Sequence, residues 1–151
     1  MELRKEQIII LNVVNNLPLA IAITTVAPAL ADIKIGLTGW LINVAIAFVV
    51  ACLVNFVFPI PMIAERFPRI FHLDPKKFSG RLVANLPINL LFVLTIGLIS
   101  NLYNVRAFPD FVFAFLATFL PIYVITFVLS MITNPIAQKL AFRELDSSEA
   151  K

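Results

Sequence analysis

Four stretches of this chain, residues 11–30, 37–58, 82–103 and 111–133, contain no Asp, Glu, Lys, Arg or His. They are 20 to 23 residues long, and at about 1.5 Å of rise per helical residue each can cross a hydrocarbon core of about 30 Å. Charged residues make up 14% of the sequence and hydrophobic residues 60%, against the about 25% charged content of an ordinary soluble domain. The pattern predicts an all-α membrane protein with four transmembrane helices. The first run also resembles a signal peptide, with basic "MELRK" before it and Ala29-Leu30-Ala31 after it. Its apolar stretch exceeds the usual 7–15 residues of a signal core, so a retained helix is expected.

Lys and Arg are unevenly placed between these runs. The two tails and the central loop hold ten of the twelve: Arg4, Lys5, Arg66, Arg69, Lys76, Lys77, Arg81, Lys139, Arg143 and Lys151. The other two loops hold only Lys34 and Arg106, each near an acid, Asp32 or Asp110. Under the positive-inside rule this bias predicts cytoplasmic N and C termini. Trp40 and Tyr103 then fall at the outer interface, where aromatic belts occur. The net charge of +3 is thus an orientation signal, and no nucleic-acid partner is expected. The single Cys52 has no disulfide partner within the chain and reads as a small packing residue.

The chain carries an internal repeat. In "VVNNLPLA" and "LVANLPIN", Val14, Asn16, Leu17 and Pro18 align with Val83, Asn85, Leu86 and Pro87. "PMIAERF" from Pro61 likewise corresponds to "PIAQKLA" from Pro135, after a shift of about five residues in the outer turns. Repeats are worth seeking first because they organise the whole fold. Here they predict two tandem helical hairpins, residues 1–74 and residues 75–151 with the cytoplasmic tail, forming one integral membrane domain. Both hairpins start and finish on the same side, so these are parallel repeats about an axis along the membrane normal.

The second half, from "RLVANLPINLL" through "NPIAQKLA", resembles a bacterial family of uncharacterised paired-helix membrane domains, in which a short hairpin ends in Pro followed by a basic exit. The resemblance implies the fold and a bacterial inner-membrane location, and supplies no site. Proteobacterial antimicrobial exporters are similar in length and helix count. Their membrane Glu in the first helix is missing here, and "GWLINVAIAF" matches their second-helix pattern only through Trp40 and Asn43.

With no ionisable group in the spans, a proton relay through a membrane carboxylate lacks its usual component. Uncharged polar groups occur instead at helical spacing: Asn12, Asn16 and Thr24 in the first run, Asn85 and Asn89 in the third, Thr126, Ser130 and Asn134 at the fourth, and Asn55 near Cys52 in the second. Residues four apart share a helix face. Asn16, Asn55, Asn85, Asn89, Ser130 and Asn134 are therefore expected around the pseudo-twofold axis in the cytoplasmic half. They either bind a solute by hydrogen bonds or join helices at about 0.6 kcal/mol per contact. Pro18, Pro87 and Pro121 are candidate kinks, since an interior proline frees a carbonyl that something else must satisfy.

The loop "ERFPRIFHLDPKKFSGR" combines cations with Phe67, Ile70, Phe71 and Phe78, a composition suited to an anionic lipid interface. His72 stands alone in the sequence and suggests no metal site. No nucleotide-binding glycine loop, metal cluster or activated nucleophile occurs, so neither an enzyme nor a cofactor is expected. The leading expectation is a small inner-membrane transporter or channel for a small neutral, amphipathic or anionic solute. The alternative is a non-transporting scaffold or accessory subunit that binds a partner protein or lipid. Membrane lipids are the expected surroundings, and the size is compatible with a homodimer.

Overall fold

A computed structural model describes the backbone of residues 5–148 and the side-chain environments of residues 7–140. Five helices occur in order: α1 (Lys5–Leu30), α2 (Leu37–Val57), α3 (Ile60–Ile70), α4 (Phe78–Val105) and α5 (Asp110–Ser148). The described residues contain no strand. Four of these helices are long and apolar enough to cross a membrane, over Gln7–Leu30, Leu37–Val57, Phe78–Val105 and Asp110–Leu140.

α3 differs from the expectation of a plain connecting loop. Pro59 forces the residue before it out of the helical region, and Phe58 ends α2 with an extended backbone. Ile60, Ile63, Ala64 and Phe67 then recur at helical spacing, so a short helix forms with one apolar side. The charges within it and its length of 11 residues keep it from resembling a span. Helix ends are closed by the backbone. After α1, Ile33 N–H bonds to Pro28 O (2.9 Å) and Asp32 N–H to Ala29 O (3.4 Å). After α3, Leu73 N–H bonds to Pro68 O and His72 N–H to Arg69 O, both at 3.0 Å. This is the left-handed closure usually built on glycine, and Asp32 and His72 adopt φ of 53° and 57° in it.

α1 packs against α2 and α5, α4 packs against α2 and α5, and α3 lies on α4. The ring order is therefore α1–α2–α4–α5, with α1 and α4 touching across the diagonal. Ala20, Ala47 and Ala51 are fully buried, and such small side chains let helix backbones approach closely. Around them pack Ile23, Val50, Val54, Phe92, Val93, Ile96 and Ile122.

Beside this apolar core the bundle buries many polar side chains and leaves large apolar ones on its outside. On α5, Thr118, Thr126, Ser130 and Thr133 are buried, whereas Phe113, Leu116, Leu120, Val124 and Val128 are exposed. On α2, Asn43 is buried and Phe56 is 89% exposed. Water would oppose that arrangement, because apolar burial contributes about 25 cal/mol per Å2. Lipid removes the penalty on the outer face and raises the cost of polar groups placed there. The chain is a multi-pass membrane protein.

Candidate functional site

The two helix pairs carry separate hydrogen-bonded sets, one between α1 and α2 and one between α4 and α5. Between α1 and α2, Asn55 Nδ2 donates to Asn12 Oδ1 at 2.8 Å and to Asn16 Oδ1 at 3.3 Å. Asn16 Nδ2 donates to Asn12 Oδ1 at 3.1 Å and approaches Cys52 Sγ at 3.8 Å. The spacing of four between Asn12 and Asn16 puts both on one face, where Asn55 reaches them together. Asn16 is 1% exposed, and its amide is fully used.

Between α4 and α5, Asn85 Nδ2 donates to Ser130 Oγ at 2.5 Å, and Ser130 Oγ donates to Phe127 O at 2.9 Å. One turn further along, Asn89 Nδ2 donates to Tyr123 O at 2.9 Å. Tyr123 returns the link by donating its hydroxyl to Leu86 O at 3.0 Å. Thr118 and Thr126 donate to carbonyls of their own helix, as buried threonines commonly do.

The six residues predicted to surround one axis are thus distributed over two sets, and no described hydrogen bond joins the sets. Asn16 and Asn55 belong to the first hairpin, and Asn85, Asn89 and Ser130 to the second. Asn134 is half-buried and has no hydrogen-bond partner among the described residues. Pro18, Pro87 and Pro121 lie within continuous helices. Asn16 and Asn85 do not serve the carbonyls freed by those prolines; Asn16 bonds to Asn12 and to Asn55 across the first pair, and Asn85 bonds across to Ser130.

A third polar contact was not anticipated from the sequence. Asn43 of α2 and Asn104 of α4 exchange reciprocal amide bonds of 3.1 and 3.0 Å at the opposite end of the bundle. Each also donates to its own helix, to Gly39 O and Ser100 O. Gln7 aside, these two are the side-chain hydrogen bonds between the helix pairs among the described residues. Asn104 lies just beyond its apolar run, and neither residue has a repeat counterpart, so spacing gave little signal. Nearby, Trp40 Nε1 donates to Thr25 Oγ1 at 3.0 Å within the first hairpin.

Some buried atoms have no partner: Asn15 Oδ1, Asn89 Oδ1, Ser100 Oγ and Thr133 Oγ1. Asn89 is the most informative of these. Its side chain is 2% exposed, its N–H is engaged, and its oxygen is open to a donor. Leaving such a group unmet in an apolar setting costs about 1–3 kcal/mol. Chemically, the arrangement can accept hydrogen bonds from an N–H or O–H group. Among the described residues no three His, Cys, Asp or Glu side chains gather to hold a metal. Comparisons of the chain with protein-family models, curated proteins and solved structures return no match.

Proposed function

We propose that the chain is a small bacterial inner-membrane transporter or channel in which two tandem hairpins, with cytoplasmic termini, pass a small neutral solute bearing N–H or O–H donors. The open Oδ1 of Asn89 carries this reading. A purely structural amide would be expected to use its oxygen as well as its nitrogen, because an unmet acceptor opposes folding in lipid. The engaged nitrogens of Asn16, Asn55 and Asn85 leave few donors for an anion, so the amphipathic neutral class is favoured over the anionic one. Asn43 and Asn104 link the hairpins at the outer end, while the inner polar sets stay within their hairpins. That division suits two bodies that rock about an outer contact, a motion used by transporters built from repeats.

The saturated amides of the first hairpin favour a second reading, a scaffold whose polar groups only fasten helices. Proteoliposome shrinkage in gradients of urea and glycerol distinguishes the two. Transport predicts flux of at least one probe above protein-free liposomes, and an about tenfold or greater fall in Asn89→Leu. The variant's thermal stability should hold or rise, since a buried unmet acceptor is removed. Flux at the protein-free level for both probes would leave the scaffold reading in place, whereas undiminished flux in Asn89→Leu would remove Asn89 from the solute path.

A further inference from the structure

We infer that α3, the turn after it and the first turn of α4 form a preorganised docking surface for anionic phospholipid headgroups. This inference stands independently of solute transport. α3 turns Ile63, Ala64, Phe67 and Pro68 inward and leaves Glu65, Arg66 and Arg69 exposed. Phe67 meets Phe71 edge to face with ring centroids 5.5 Å apart. Beyond that contact, Ile70, Phe71 and Phe78 are 68%, 56% and 65% exposed. Large apolar side chains beside cations suit the boundary between acyl chains and headgroups.

The local acids are already occupied. Glu65 pairs with Arg69, and Asp74 Oδ1 accepts the backbone N–H of Lys76 at 2.9 Å. Arg66, Lys76, Lys77 and Arg81 have no side-chain partner among the described residues. Among the described residues the surface therefore offers four unpaired cations. Its backbone is held closely: a Cβ on Gly80 would lie 2.0 Å from Asp74 O and 2.9 Å from Pro75 Cα. The chain after α3 thus presses on the start of α4 and fixes Lys76 and Lys77 near Arg81. At the opposite end, Arg106 is engaged, donating through Nε to Tyr103 O at 3.0 Å and lying 5.2 Å from the Tyr103 ring centroid. Charge complementarity assigns the anionic leaflet to the α3 end.

The test titrates the purified full chain in detergent with phosphatidylglycerol or phosphatidylcholine of matched acyl chains and counts bound lipid by native mass spectrometry. Phosphatidylglycerol should be preferred. A basic residue near an anionic surface contributes about 1 kcal/mol, or about fivefold in affinity. Replacing Arg66, Lys76, Lys77 and Arg81 by Gln should therefore abolish the preference, whereas Lys34→Gln with Arg106→Gln should keep it. For the unmodified protein, raising ammonium acetate from about 0.05 to 0.5 M should weaken it through screening, a readout independent of variant folding. Equal uptake of the two lipids, an undiminished preference in the quadruple variant or at high salt, or displacement by soluble glycerol phosphate would overturn the inference. So would loss of preference in the Lys34/Arg106 pair.

Discussion

Replacing Asn43 and Asn104 singly and together measures what the contact between α2 and α4 contributes. The two amides form a closed unit: each oxygen accepts from the other residue, and each nitrogen also donates to a carbonyl of its own helix. Asn104→Leu removes both reciprocal bonds and strands the side-chain oxygen of Asn43, which is 2% exposed. Interhelical hydrogen bonds in membranes contribute about 0.6 kcal/mol on average and up to about 1.7. Two such bonds give a coupling of roughly 1–2 kcal/mol. The stranded acceptor brings the expected single-variant loss to about 2–3 kcal/mol. Asn104 is itself exposed, so Asn43→Leu strands no buried acceptor and should cost less than Asn104→Leu. The double variant should still lose less than the sum of the singles by the coupling of the two shared bonds. Equilibrium unfolding in mixed micelles, followed by helical circular dichroism and by Trp40 fluorescence, supplies the four free energies. Additivity within about 0.3 kcal/mol, the behaviour of independent sites, would refute the reasoning.

Two further predictions concern close packing and orientation. A Cβ on Gly97 would lie 2.6 Å from Phe115 Cε2, and Phe115 is itself held edge-on against Phe119 at 5.4 Å. Gly97→Ala should therefore destabilise by about 1 kcal/mol, an overpacking cost of about 1–3 less the gain in helix propensity of about 1; in a Phe115→Leu background it should be neutral or stabilising, and equal effects in both backgrounds would place the strain elsewhere. In a Cys52→Ala background, an impermeant thiol reagent should label Lys34→Cys from outside intact cells and Lys76→Cys only after permeabilisation, and the reverse pattern would contradict cytoplasmic termini.

Much of the architecture was legible because its physical signals are local. A run of 20 apolar residues meets the length requirement of a bilayer whatever its neighbours do. The amides at Asn12 and Asn16, or Asn85 and Asn89, share a face because helical geometry alone requires it. α3 was legible in part: Ile60, Ile63, Ala64 and Phe67 have helical spacing, but Pro59, Pro61 and Pro68 and three charges around them read as loop. The partners of the polar groups were less accessible. Asn16 could be assigned inward beside Asn12, yet its meeting with Asn55 and Cys52 depends on where α2 lies. The repeat drew attention to Asn16 and Asn85 as a pair, while the structure gives each a partner inside its own hairpin. Asn43 and Asn104, 61 residues apart, had neither repeat symmetry nor proximity in sequence to connect them.

By itself, then, the sequence determined four spanning helices, through lengths set by the bilayer, and a set of uncharged polar faces, through a fixed helical period. Only the tertiary structure decided the ring order α1–α2–α4–α5, and with it which amides meet and which acceptors, that of Asn89 among them, are left open. The physical reason is that lipid tails are as apolar as the side chains facing them, so helix order is set by small-residue contacts and hydrogen-bond geometry between distant segments. Those terms do not exist until the helices are side by side.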